Sequence, residues 1–396
     1  MNSPILGAVA LGYAPLIDRQ RQVTATRLTV IPLRPDAKLE AVDLLTAVSD
    51  IWPAGGSGST NQAILNIASE GLLEGLLQSA PSSNLSIELP AFMTGKAELA
   101  PALLALKKNG NALLLKGVPS APVPAELLGC FKSAVLDADD EARGGNGIAL
   151  PKLISGLRGA ADVDAAFQRG AAGVLGWPFA GGYEAPANAP KPDLQTDLQV
   201  IVELMSRVEQ GEDIERLEQT LKRDPSLAFK LLRYMNSAAF GLTVEVSSFR
   251  HAIMLLGYSR LKRWLALLLI TASKDHAMRP IMHGALRRGL LMEELAHGMD
   301  DAEMRDEMFV CGLFSLLDHM IKQPFARLLE SIPVPERVRQ ALVDGVGPYQ
   351  PYLELVRAIE NESVWDYRSS AEQLMLGAEE INQCVLRALA KAAQLE

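Results

Sequence analysis

Residues 180–192 read Ala-Gly-Gly-Tyr-Glu-Ala-Pro-Ala-Asn-Ala-Pro-Lys-Pro, and this stretch constrains the fold more than any other. Its three prolines and two glycines cannot build a helix and favour extended backbone, so it reads as an interdomain linker. Charge density changes across it: 31 of the first 190 residues are Asp, Glu, Lys or Arg, against 54 of the remaining 206. The chain therefore divides into two parts of different construction. Its 396 residues allow each part its own buried core, without disulfide or metal staples.

The first part alternates short β-like runs with helical patterns. Strands are expected at 6–12, 28–33, 85–89, 112–116, 133–137, 148–150 and 173–177, with helical patterns at 39–51, 61–79, 97–108, 125–131, 152–157 and 163–169. Such alternation implies βαβ units and a mainly parallel sheet. Some 190 residues is short for an eightfold barrel, which usually needs about 250, so a trimmed (β/α) barrel is expected. The Gly55–Ser59 stretch lacks the Lys-Ser/Thr ending of a phosphate-binding loop.

The second part is helical. Asp224-Pro225 reads as a helix start, an N-cap oxygen followed by a proline at the first helical position. Leu227, Leu231, Leu232 and Met235 recur at helical spacing, and Gly257 suits a left-handed stop. Further helices are expected at 261–269, 282–297, 302–320, 335–343, 352–360 and 378–392. Leu261, Trp264, Leu265 and Leu268 run through the helix after Gly257, which marks a core element rather than a DNA-reading helix, although Arg260, Lys262, Arg263, Arg287 and Arg288 supply basic residues nearby. Tyr349, Tyr352, Trp365 and Tyr367 are expected to pack the bundle.

Composition narrows the function classes. The net charge of −9 argues against a broad nucleic-acid or anionic-membrane surface. Aromatic residues at 5% do not supply repeated base-stacking platforms. Cys130, Cys311 and Cys384 are widely spaced, as in a reducing cytoplasm. Five histidines, His251, His276, His283, His297 and His319, are few for a centre built on metal-bound imidazoles. The apolar start at 5–11 has no basic residue before it and no cleavage signal after it, and a cytoplasmic chain is expected. No Ser or Cys stands with a His in a nucleophile motif.

In the second part, Arg223-Asp-Pro-Ser-Leu227, Lys230-Leu-Leu-Arg-Tyr-Met-Asn-Ser-Ala-Ala-Phe-Gly241, Ala252-Ile-Met-Leu-Leu-Gly257 and Leu261 together resemble the HDOD domain, a helical signalling relative of metal-dependent HD phosphohydrolases. Ala285-Leu-Arg-Arg288, Met292-Glu-Glu-Leu-Ala296 and Cys311-Gly-Leu-Phe-Ser-Leu-Leu-Asp318 resemble a subgroup in which HDOD follows an EAL-like barrel. More weakly, Tyr13-Ala-Pro-Leu-Ile-Asp18, Leu85-Ser-Ile-Glu-Leu-Pro90 and Gly173-Val-Leu-Gly-Trp-Pro-Phe179 resemble EAL domains. The resemblance implies a degenerate EAL-like domain over 1–180, a linker over 181–194 and an HDOD domain over 195–396: α/β plus all-α.

The departures from these families carry the functional expectation. EAL phosphodiesterases hold two metals and cleave cyclic di-GMP. Where their Glu-x-Leu-x-Arg is expected the chain has Thr26-Arg-Leu-Thr-Val30, where an Asn is expected it has Glu88, and the strand expected to carry Glu ends on Lys116. The late Ala-Glu step reads Ala149-Leu150, and the terminal Gln is Leu175. The consecutive acids Asp137, Asp139, Asp140 and Glu141 suit a solvated turn better than a metal site. In the HD frame, the His-Asp pair is replaced by Ser315-Leu316, with Asp318-His319 a few positions late. No catalytic, cofactor or metal residue is assigned. Asp224, Pro225, Asn236, Ser237, Phe240, Gly241, Gly257, Arg288, Gly312 and Asp318 are family-signature residues, structural or partner-facing. The expected function is a non-catalytic bacterial signalling scaffold with protein partners, without nucleic acid, membrane or cofactor, and with self-association left open. The alternatives are a residual cyclic di-GMP phosphodiesterase or a receptor that binds without cleaving.

Overall fold

The computed structural model describes residues 3–35, 37–49, 51–52, 62–144, 147, 149–179, 181–183, 196–221, 249–271, 275–298 and 301–395. One compact unit comprises residues 1–180 and 354–390, and a second comprises 181–353 and 391–396.

The first unit is a closed barrel of eight strands in chain order: β1 (Val9–Asp18), β2 (Val23–Pro32), β3 (Ala63–Ile67), β4 (Leu85–Pro90), β5 (Leu113–Lys116), β6 (Phe131–Asp137), β7 (Lys152–Ser155) and β8 (Gly173–Leu175). β1 runs antiparallel to both β2 and β8, whereas β2 through β8 pair in parallel. The antiparallel pair explains how eight strands fit into so few residues. Antiparallel neighbours need only a tight turn where a parallel step needs a crossover of a dozen residues or more. That turn is held by Asp18, whose carboxylate accepts from the Gln22 amide at 2.8 Å. Two crossovers are further shortened to the helices Ala125–Leu128 and Ala138–Ala142.

Two expected boundaries fail. The segment read as a helix over 61–79 is β3 followed by the helix Glu70–Gln78, which Ser69 caps by accepting from the Leu72 amide. β7 lies at Lys152–Ser155, where a helix was expected, and not at 148–150. Both are short strands of a parallel sheet. β3 is buried at all five positions, and such a run carries no period-2 signal to separate it from a buried helix.

Alternation along the strands defines the interior. Leu16, Ala25, Ile64, Leu114, Val135, Leu153 and Leu175 pack together inside the barrel. Leu136, Ile154 and Val174, each one residue away on its strand, pack outward on Val163 and Ala166 of the helix Ala160–Gln168. The apolar ring is the floor of the barrel. The inward positions two residues further toward the strands' C-terminal ends are Arg27, Asn66, Lys116, Asp137 and Ser155, so the mouth is polar.

Residues 354–390, which the sequence groups with the helical second part, belong instead to the barrel unit. Asn382, fully buried, shows why. Its amide donates to the Leu6 and Val9 carbonyls at 2.7 and 2.8 Å, and its oxygen accepts from the Leu11 amide at 3.1 Å. The side chain thereby serves backbone groups at the start of β1 and in the turn before it, on the edge that β8 reaches only from Leu16 onward.

The second unit is helical throughout its described residues. Its helices include Thr196–Glu209, Ile214–Leu221, Phe249–Thr271, Arg279–Leu295, Ala302–Phe314 and Leu317–Ile321. Gly257 interrupts Phe249–Thr271 with φ 72° and ψ 176°, a kink only glycine adopts without strain, in agreement with the expected stop. Leu261, Trp264, Leu265 and Leu268 are buried beyond it, as expected. Helices Arg279–Leu295 and Ala302–Phe314 cross where a Cβ on Gly312 would meet the Arg288 carbonyl oxygen at 2.5 Å.

Candidate functional site

In barrels of parallel strands, chemistry gathers at the strands' C-terminal ends. Here that mouth holds a connected polar network. Arg27 on β2 donates to both carboxylate oxygens of Glu88 on β4, at 2.7 and 2.9 Å. The same guanidinium turns Nη1 to Glu362, 3.0 and 3.3 Å from its two oxygens. Thr29, two residues on from Arg27, donates its hydroxyl to Glu362 at 2.6 Å. Lys116 on β5 donates to the Asn66 side-chain oxygen at 2.7 Å, and the Asn66 amide donates to the Thr29 hydroxyl at 3.0 Å. Since Lys116 has no acceptor to offer, the Asn66 orientation is fixed by that contact.

Burial opposes the Arg27 charge, but the Glu88 and Glu362 carboxylates more than offset it, and the guanidinium is held even more firmly protonated than usual. Burial pulls Lys116 below the ordinary lysine range, with Glu88 opposing and Arg27 adding to that effect. Glu88 is wholly inaccessible, whereas the Glu362 side chain retains 24% of its exposure.

Glu362 lies in the turn joining the helices Gln350–Glu360 and Val364–Leu374. The Ser363 amide reaches back to the Ala358 carbonyl and the Glu362 amide to that of Ile359, which closes the first helix in the manner of a Schellman cap. The residue at that left-handed position is usually glycine. Glu362 takes it with φ 56°, at a cost of about 1 kcal/mol. On β1, Gly12 leaves the space for this turn, for a Cβ there would stand 2.9 Å from the Ile359 carbonyl oxygen.

This donor set does not suit the two-cation centre that the EAL resemblance implies. Both oxygens of Glu88 are taken by the Arg27 guanidinium, and the Lys116 ammonium lies 3.9 Å from one of them, so the carboxylate already faces two positive charges. Among the described residues, no group of three His, Cys, Asp or Glu side chains could hold a metal ion. Asp137 caps the short helix Ala138–Ala142, and Asp140 and Glu141 pair with Arg143 and Arg169.

Two points of the sequence alignment need correction. Asn66 stands on β3, a strand the sequence reading places inside a helix, so Glu88 lies on β4, one strand later than that reading counts it. The inward end of β7 is Ser155, not Ala149-Leu150. Both errors follow from the missed strands.

In the helical unit, Arg288 is buried and donates to the Ser315 hydroxyl at 3.1 Å, while Ser315 donates to the Gly312 carbonyl at 2.7 Å. Asp318, 1% exposed, accepts from the Tyr183 and His319 amides at 2.7 and 2.8 Å, and the His319 ring lies 2.9 Å from the Gly181 carbonyl oxygen. Arg288, Gly312 and Asp318 thus hold one helical neighbourhood together, and Gly257 lies apart in its own helix. Asp224, Pro225, Asn236, Ser237, Phe240 and Gly241 lie outside the described residues. Of the basic residues named above, Lys262 pairs with Glu209 and Arg263 with Glu293, Arg287 and Arg288 are buried, and Arg260 is exposed. Of the late aromatics Tyr349, Tyr352 and Tyr367 are buried, but Trp365 is 83% exposed, contrary to expectation. Among the described residues, no helix is long and apolar enough to cross a membrane.

Residues 194–323 match the family model of the HDOD domain, so this stretch of the chain is an HDOD domain. The uncharacterized protein YuxH of Bacillus subtilis (strain 168) is 31% identical over 201 residues, which cover 50% of this chain and 48% of that protein. Cyclic di-GMP phosphodiesterase CdgJ of Vibrio cholerae serotype O1 is 26% identical over 190 residues, 48% of this chain and 44% of that protein. The chain spans about half the length of these relatives. Among solved structures, the barrel resembles the PaMucR phosphodiesterase in its c-di-GMP complex (TM-score 0.34, 14% identity, 45% of this chain and 93% of that one). It also resembles the EAL domain of Mycobacterium smegmatis DcpA (TM-score 0.30, 17% identity, 43% and 90%).

Proposed function

We propose that this chain is a non-catalytic cytoplasmic signal-transduction protein, acting as a regulatory scaffold for protein partners in cyclic di-GMP signalling. One observation carries the reading. The carboxylate best placed for metal chemistry in the barrel, Glu88, is spent on a bidentate pair with Arg27, and a second carboxylate, Glu362, closes the mouth above it. Two-metal cleavage of a phosphodiester needs carboxylates free to hold cations, and a guanidinium among them repels those cations. The HDOD domain and the similarity to CdgJ support the signalling context. In the helical unit, Ser315 stands where the HD frame expects a metal-binding histidine, and it is engaged by Arg288.

The deciding experiment incubates the full chain with cyclic di-GMP and Mg or Mn and follows the linear product by chromatography. No product above the protein-free control is expected, and sustained turnover would overturn the reading. A receptor that binds cyclic di-GMP without cleaving it is the second reading, favoured by the polar mouth formed by Asn66, Thr29 and Lys116. Calorimetric titration separates the two, since a scaffold gives no saturable heat.

A further inference from the structure

We propose that the barrel mouth is a masked site for a single oxyanion, and that the carboxylate of Glu362 is its resident occupant. This goes beyond the scaffold reading and does not depend on it.

The donors around Glu362 are arranged before it arrives. Lys116 donates to Asn66, the Asn66 amide donates to the Thr29 oxygen, and the Thr29 hydrogen is thereby left to point at Glu362. Arg27 spends Nε and Nη2 on Glu88, which fixes the guanidinium plane, and Nη1 is left as a further donor aimed at the same place. The network therefore ends in one hydroxyl and one guanidinium N–H converging on one carboxylate. Charge points the same way. Glu88 is the carboxylate shared by Arg27 and, at 3.9 Å, by Lys116, so withdrawal of Glu362 would leave these three side chains with one positive charge in excess beside the convergent donors.

Glu362 itself is not part of the barrel's strands. It arrives from a helix-ending turn 335 residues away in sequence, in a left-handed conformation that favours glycine. Strained backbone persists where the surroundings over-determine it, and here those surroundings are Arg27, Thr29 and the gap left by Gly12. A carboxylate or phosphate group has the size and charge to replace the Glu362 head on the same donors.

The test uses the full chain and the substitution Glu362→Gly, which removes the carboxylate and suits the backbone at that position. Thermal unfolding is followed at constant ionic strength while chloride is replaced by inorganic phosphate in one series and by acetate in another. The expected result is a saturable rise in midpoint of about 2–4 °C in the variant with at least one of the two anions, absent in the wild type. Adding Thr29→Val should abolish the rise. An unshifted Glu362→Gly variant overturns the proposal, as does an equal shift in the wild type. Should Glu362→Gly and Glu362→Gln both fail to fold, Glu362 is a structural strut and the proposal also falls.

Discussion

The barrel mouth and the crossing of Arg279–Leu295 with Ala302–Phe314 are both closed around an arginine, by opposite means. In the barrel, Arg27 is held by charge, with two carboxylates on one guanidinium, one of them partly open to solvent. In the helical unit, Arg288 donates to a serine hydroxyl among its contacts, and the crossing beside it is set by backbone contact, since Gly312 and Gly289 let the two helices approach too closely for a Cβ to fit without displacement. A closure made of charge responds to pH, to competing anions and to one side chain. A closure made of backbone contact responds to volume.

The largest effect should come from breaking the charged closure at its buried end. Arg27→Met removes the bidentate partner of Glu88 and leaves it only Lys116, 3.9 Å from one carboxylate oxygen, and unfolding by urea should show a loss of about 3–5 kcal/mol. Adding Glu88→Leu should restore most of that stability, because removing both partners leaves no buried charge. A single variant as stable as the wild type would show that charge does not hold the mouth.

A smaller loss, about 1–3 kcal/mol, is expected for Gly312→Ala, which forces the helices apart. It should grow with the volume of the substituent, and a Gly312→Val variant as stable as Gly312→Ala would erase the contrast drawn between the two sites.

The smallest effect concerns pH. Burial lowers the Lys116 pKa in the folded protein, so between that value and the unfolded one, about 10.4, the unfolded chain binds more protons. Stability contributed at this position is therefore lowest at neutral pH and rises through the alkaline range. The stability of the wild type relative to Lys116→Met should increase as pH approaches about 10.4. A pH-independent difference would mean that Lys116 is solvated like any surface lysine.

Much of the site was present in the sequence but misassigned. Lys116 and Glu88 were singled out as departures, and both face the mouth. Asn66 escapes the sequence reading because Ala63-Ile-Leu-Asn-Ile67 is buried on both faces and reads as the start of a helix. The one available signal was Ser69, an N-cap candidate that dates the helix start to after the strand. Glu362 gave no local signal at all, as an acid between two helices looks like any solvated turn.

By itself, the sequence determined the alternation of strands and helices, the helical second part and the stop at Gly257. All of these rest on local spacing, caps and backbone preference, which act over a few residues. Only the tertiary structure decided that residues 354–390 return to the barrel, that Asn382 completes β1, and that Glu362 meets Arg27. Those contacts join groups more than 330 residues apart, and their energy depends on burial and on a partner's exact charge and geometry, neither of which a neighbouring residue encodes.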